Sequence, residues 1–305
     1  MKIAISGSTG LIGSALRRQL ESNGHEVIPV VRVGSTSRAA NNSVSHIEWD
    51  PKSGFATPKQ LERVDALIHL AGKSIGDARW TEAEKDLIRS SRVEATEIIA
   101  SQLISLDSPP PTIISASAIG LYGDRGVTEC IESDDPGTDF LATVVEGWES
   151  ACQPLRDRGL RVIHPRFGIV LSKGGGALAK MLPLFGWGVG GRLGSGRQYW
   201  SWISLRDAVR ALEWFLHTQH CYGPYNLTAP SPATNAEFTR ALGATLNRPT
   251  FLPVPEFALR TALGEMADAL LLTSCRAIPE RLLEDGFKFQ DADLPEFFTR
   301  ELRHS

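Results

Sequence analysis

Three glycines spaced three apart, in Gly7-Ser8-Thr9-Gly10-Leu11-Ile12-Gly13, separate the apolar run Lys2-Ile3-Ala4-Ile5-Ser6 from a helix-period face of Leu11, Ile12, Ala15, Leu16 and Leu20. These residue types suit a pyrophosphate. Gly7 lets a strand turn sharply, Gly10 leaves bare backbone for the phosphates, and Gly13 lets the new helix lie close on its strand. The phosphates then meet the free amides of a helix N-terminus. The pattern predicts a dinucleotide site over Gly7–Gly13, the alternative being a tight strand-to-helix turn that binds nothing.

The elements that must position this site alternate along the chain. Glu26-Val27-Ile28-Pro29-Val30-Val31 reads as a second strand ending at Arg32, with Pro29 awkward because it lacks a ladder donor. His46–Trp49 reads as a third strand and Asp65–Leu70 as a buried fourth. A long helix is expected over 81–106, then a fifth strand over Thr112–Ala116, a helix over 139–158 and a sixth strand over Leu160–His164. Alternation of this kind implies a parallel sheet. The fold class expected is α/β: a Rossmann doubly wound parallel sheet with a smaller C-terminal α/β substrate lobe. Residues 1–165 would form the nucleotide-binding domain, with some later segments returning to it, and 166–305 the substrate lobe and helical C-terminal region.

Composition changes after Pro165, where Gly174–Gly176 and the stretch 186–196 contribute nine glycines. Such a loop is either a lid that closes on a ligand or a flexible connector. At 305 residues, with 42% hydrophobic and 22% charged residues and a formal net charge of -3, the chain has no basic excess to attract nucleic acid. Cys130, Cys152, Cys221 and Cys275 lie too far apart for a zinc knuckle or redox dithiol and read as reduced thiols. His217 and His220 beside Cys221 have metal-compatible spacing, yet they end a helix without a third ligand in sequence, so no metal is expected. The chain opens directly into a strand, and no stretch reaches the ~18 apolar residues of a membrane span, so a cytoplasmic protein is expected.

The second strand ends on a cation. NAD sites of this architecture place an acid there for the ribose 2′-hydroxyl, whereas a 2′-phosphate wants a cation. Arg32 offers a planar fork of donors, and Arg38 in the following loop could add a second, so NADP(H) is expected rather than NAD(H).

Further signals fall at successive strand ends: Leu70-Ala71-Gly72, Ser115-Ala116-Ser117-Ala118 with Tyr122-Gly123, and Pro165-Arg166. Ligands of open α/β sheets bind outside these carboxyl ends. With Ala78-Arg79-Trp80-Thr81, Ser91-Arg92-Val93, Val145-Glu146-Gly147-Trp148-Glu149 and Ser201-Trp202-Ile203-Ser204, they make the chain resemble the extended short-chain dehydrogenase/reductase family. Within it the chain is similar to an atypical epimerase branch sometimes labelled nucleoside-diphosphate-sugar epimerase or cell-division inhibitor. The resemblance covers nearly the whole chain. It implies that Asp50 reaches toward the adenine, that Leu70, Ala71 and Gly72 line the pyrophosphate and ribose, and that Ser115 and Pro165 border the cofactor. It also implies that Arg192, Arg197 and Trp202, with the neighbouring aromatics, hold a nucleotide-linked substrate.

The hydride chemistry of that family uses a hydroxyl after the fifth strand, then a Tyr with a Lys four residues on, whose charge lowers the tyrosine's pKa. Ser117 fits the hydroxyl position. Phe140 and Val144 stand where the Tyr and Lys belong, and a one-residue shift gives Leu141 and Val145. Tyr122 is the nearest other phenol and the candidate surrogate. Two functions are therefore open. One is an NADP(H)-dependent epimerase-like oxidoreductase on a small polar or nucleotide-linked substrate, with Ser117 and Tyr122 in the site. The other is a catalytically silent NADP(H)-binding regulatory or scaffold protein, with a link to cell division. Neither nucleic acid nor membrane is an expected partner.

Overall fold

The structure, a computed structural model, describes residues 1–34 and 46–303. Arg38 lies outside the described residues. Chain order begins β1 Lys2–Ser6, α1 Leu11–Ser22, β2 Glu26–Arg32, β3 Ile47–Asp50, β4 Gly54–Phe55 and β5 Ala66–His69. It continues with α2 Glu82–Ser90, α3 Val93–Ile104, β6 Thr112–Ser115, β7 Ser117–Ala118, β8 Glu129–Cys130, α4 Phe140–Ser150, α5 Gln153–Asp157 and β9 Arg161–Phe167. One large sheet carries the order β13-β9-β6-β5-β1-β2-β3-β4, with β13 at Gly223–Leu227 and β7 paired to β9. All its pairings are parallel except β3 with β4.

Ile3, Ala4 and Ile5 are inaccessible on both faces of the sheet, which is why β1 is an unbroken apolar run rather than an alternating one. On one face Leu16 and Leu20 of α1 pack with Leu212, Phe215 and Leu216; on the other, Ile99, Leu103 and Leu155 cover Leu67 and Ile113. Pro29 causes no conflict. β3 joins β2 only from Val30 onward, so β2 is an edge where the donor is missing.

Two long helices expected from the sequence are each broken. The first stops at Ser91, whose hydroxyl donates to the Ile88 carbonyl (3.1 Å) and accepts from Lys73 N (3.1 Å), and it resumes at Val93. The second stops at Ser150 and restarts at Gln153, where Pro154 occupies the first turn of α5. Strand β9 extends to Phe167, so Pro165 and Arg166 lie inside it rather than after it.

Beyond β9 follow β10 Ile169–Ser172, α6 Gly176–Gly186, β11 Tyr199–Trp200, β12 Trp202–Ser204 and α7 Leu205–His217. α7 returns beneath the sheet against α1, and β13 closes the sheet's edge. The later chain also carries β14 Ala233–Thr234, α8 Asn235–Leu246, α9 Glu256–Leu263, β15 Arg276–Ala277, α10 Glu280–Glu284 and α11 Leu294–Arg303. A second core of Leu171, Phe185, Trp200, Trp202, Phe238 and Phe297 joins much of this later chain. The glycine-rich stretch is fastened down: Gly194 N donates to the Val254 carbonyl (2.9 Å) and Val254 N to the Arg192 carbonyl (2.8 Å). No helix among the described residues is long and apolar enough to cross a membrane.

Candidate functional site

A cleft of about 810 Å³ opens at the carboxyl ends of the central strands, bordered by the glycine ladder on one side and by Tyr199, Trp200 and Ser201 on the other. Each ladder glycine has its own reason. Gly7 adopts φ +69°, and a Cβ there would stand 2.9 Å from the Leu70 carbonyl carbon. A Cβ on Gly13 would overlap the Gly7 carbonyl oxygen and lie 2.9 Å from Ser8 Cα, so α1 can leave β1 this tightly only with glycine. A Cβ on Gly10 would meet only the Gly7 oxygen, at 3.3 Å; its open side is the cleft.

Gly10 is also the N-cap of α1, with no side-chain cap and no acid in the first turn. The amides opening the helix therefore face the cleft without a side-chain acceptor. This cradle fits a pyrophosphate. Ser8 is buried and Thr9 exposed within the same turn, and Leu11, Ile12 and Gly13 line the cleft.

The neighbouring strand end is locked to it. Ser6 Oγ accepts from Leu70 N (3.2 Å) and Ala71 N (3.3 Å) and pairs with His69 Nδ1 (2.7 Å). His69, which sequence reasoning passed over, is completely enclosed, and that burial drops its pKa to about 4. Leu70 borders the cleft, whereas Gly72 lies under the Arg92 guanidinium. Arg32 is exposed at the end of β2, paired in register with Trp49 of β3. The Asp50 carboxylate is turned onto its own hairpin, accepting from Lys52 N (2.8 Å) and Ser53 N (3.2 Å). Ser115, the last residue of β6, and Pro165, inside β9, are both buried and do not border the cleft.

At the far end of the cleft, Ser117 anchors a buried polar chain. Its hydroxyl donates to Glu149 Oε1 (2.5 Å), and Arg166 grips the same carboxylate with Nε (2.8 Å) and Nη2 (2.9 Å). Arg166 Nη1 donates to Tyr122 Oη (2.9 Å), which donates to Asn226 Oδ1 (2.7 Å). Burial alone would raise the Glu149 carboxyl, but the Arg166 guanidinium holds it below its ordinary range, ionised. Tyr122 goes the other way: burial drives its phenol well above the usual value, against the pull of Arg166. The tyrosine hydroxyl is thus enclosed and satisfied on both sides, away from the cleft wall. As a proton donor or acceptor for a ligand it is out of reach.

α4 supplies an apolar wall. Leu141, Val144, Val145 and Trp148 all border the cleft, while Phe140 turns aside to pack edge-on against Trp80 with ring centroids 5.4 Å apart. The residues expected to hold a substrate lie elsewhere. Trp202 is a core side chain that touches Phe297 (5.3 Å) and donates to the Ser231 carbonyl (3.1 Å). Arg192 and Arg197 are exposed outside the cleft, since the backbone bonds of Arg192 and Gly194 with Val254 draw their loop away from it. The cleft-facing members of that neighbourhood are Tyr199, Trp200 and Ser201, together with Arg92 from the far side.

Third ligands missing from the sequence spacing do come together in space. His217 lies with His25 and Glu213, and His220 with Cys221 and Asp285, each set within 4.8 Å. Glu213 accepts from Gln19 (2.5 Å) and Asn23 (2.7 Å), and Asp285 from Tyr225 Oη (2.7 Å).

Comparison with known proteins agrees with the fold. The NAD dependent epimerase/dehydratase family matches residues 3–227, and a domain of unknown function, DUF1731, matches residues 254–300. Epimerase family protein MT2273 of Mycobacterium tuberculosis is 47% identical over 94% of this chain and 93% of that protein. Human epimerase family protein SDR39U1 is 34% identical over 96% of this chain and 97% of its own length. The crystal structure of human SDR39U1 with NADPH superposes with a TM-score of 0.88 at 30% identity, covering 100% of both chains. A nucleoside-diphosphate sugar epimerase from Corynebacterium glutamicum gives a TM-score of 0.81 at 33% identity, covering 100% of this chain and 59% of that one.

Proposed function

Because this chain belongs to the NAD dependent epimerase/dehydratase family, we propose that it binds NADP(H) in the strand-end cleft and acts on a small polar or nucleotide-linked substrate without the Tyr/Lys pair. The observation that carries the reading is the ladder's fit: Gly7 and Gly13 are closed by backbone, and Gly10 is open to the cleft beneath uncapped amides. Arg32, at the end of β2, is the residue for the 2′-phosphate. The NADPH in the crystal structure of human SDR39U1 supports the same choice of cofactor.

A bound nicotinamide supplies or accepts hydride. Ser117 is the polar group this chain offers beside it. With its proton committed to Glu149, Ser117 presents lone pairs to the cleft and holds a hydroxyl or amide donor of the ligand. Glu149 stays ionised through Arg166 and fixes that orientation. Tyr122 is a positioning residue that braces Arg166 from behind. The cleft wall at Leu141, Val144 and Val145 carries no proton, and this favours a second reading, a protein that holds NADP(H) without turnover and serves regulation or scaffolding.

Purified protein incubated with NADPH and a panel of carbonyl compounds and sugar nucleotides separates the two. Loss of NADPH absorbance or epimer formation is the expected result for the enzyme. Retention of NADPH with no conversion anywhere on the panel sinks the enzyme reading for those substrates and leaves the binding one.

A further inference from the structure

Arg92 is a cation that no carboxylate among the described residues neutralises. It stands at the N-cap of α3, the positive end of that helix's dipole, where a guanidinium is disfavoured. Its protein partners are neutral: Nη1 donates to the Ile88 carbonyl (3.1 Å) and Ser91 Oγ (3.4 Å), Nη2 to the Lys73 carbonyl (2.9 Å), and the group lies over the Trp148 ring at 5.3 Å. Lys73 keeps an acid of its own, Glu84, at 2.8 Å. Partial burial without a counter-charge lowers the Arg92 pKa to about 10.

The donors left over are informative. Nε–H and one hydrogen of Nη2 have no hydrogen-bond partner among the described residues, which leaves the guanidinium with two donors to offer an anion. Arg92 borders the cleft, and the acids that border it too are already engaged. Asp77 pairs with Lys180 at 2.8 Å, and Asp139 caps α4 by accepting from Ala142 N at 2.9 Å.

We infer that Arg92 is an anion-binding residue of this cleft, and that the molecule held there presents a carboxylate or phosphate to its free donors. The inference rests on the reading of the cleft as a dinucleotide and substrate site, and the anion has two sources, a phosphate of the cofactor or an acidic group of the substrate.

Fluorescence titration of NADPH into wild type, Arg92→Gln and Arg92→Lys, followed by oxalate and inorganic phosphate titrated into each NADPH-saturated protein, decides. Loss of a charge-assisted bidentate pair weakens at least one titration of Arg92→Gln by about 10- to 100-fold, with Arg92→Lys in between. Weakening of NADPH assigns the anion to the cofactor, and weakening of oxalate or phosphate assigns it to the substrate. Unchanged affinity in every titration overturns the inference. If wild type binds no NADPH, the dinucleotide reading fails instead, and oxalate and phosphate titrated into ligand-free protein still judge Arg92. Should Arg92→Gln not fold, Arg92→Lys, which keeps the charge but not the fork, is judged by the same criterion.

Discussion

Gly10 and Gly13 look alike in the sequence and do different work. Gly13 is pinned between α1 and the Gly7 carbonyl, so an alanine there forces the backbone apart; overpacking of this kind costs about 1–3 kcal/mol. Gly10 has only one neighbour, at 3.3 Å, and its missing side chain leaves space in the cleft. Gly13→Ala is therefore expected to lower the melting temperature and NADPH affinity together. Gly10→Ala should melt near wild type yet lose NADPH binding at least about tenfold. Thermal melts and fluorescence titrations of the two variants check this, and undiminished NADPH binding by Gly10→Ala would contradict the cradle. The turn of the ladder was legible because the contacts that close Gly10 and Gly13 are local, whereas the closure of Gly7 by Leu70 comes from a neighbouring strand end. Ser117 was legible as a hydroxyl at a strand end, but its partner Glu149 lies 32 residues further on and Arg166 further still, and only the pairing of β7 with β9 brings them together. Tyr122 and Trp202 misled for the same reason: residue type does not reveal which side of a strand or turn meets solvent.

Strands and helices were legible wherever a periodic apolar pattern ran unbroken, and their ends were not. Ser91 reads as a tolerable helix residue, and only its bonds to Ile88 and Lys73 end α2 there. β9 runs past Pro165 because β7 and β13 both pair with its last residues. Two strands also bury a histidine, His69 in β5 and His164 in β9, and burial lowers each pKa to about 4 from an ordinary 6.5. A depressed pKa means the unfolded chain takes up protons first. The stability these neutral rings allow is complete above pH 6.5 and is lost as pH falls from there toward about 4, by roughly 3 kcal/mol for each ring. Melting temperatures measured from pH 8 to pH 4 should fall across that window, less steeply in His69→Gln and in His164→Gln. A profile identical to wild type in both variants speaks against the neutral buried state.

Over the whole molecule, the chain does not divide at one point. α7 and β13 return from the later half to complete the sheet layer, while the second core of Trp200, Trp202, Phe238 and Phe297 closes the cleft from outside it. The stretch 186–196 stays out of the cleft, which Gly176 before it and Tyr199 to Ser201 after it border, a consequence of its pairing with Val254 that no local pattern discloses. What joins the layers is the cleft, in which we place NADP(H) with Arg32 on the 2′-phosphate. Titration of NADPH and NADH into wild type and Arg32→Ala, followed by fluorescence, tests this placement. The expected result is tighter NADPH than NADH binding, with Arg32→Ala weakening NADPH by about tenfold or more and NADH little, as loss of a charge-assisted phosphate contact requires. Binding of neither dinucleotide, or an equal loss for both in Arg32→Ala, would contradict it.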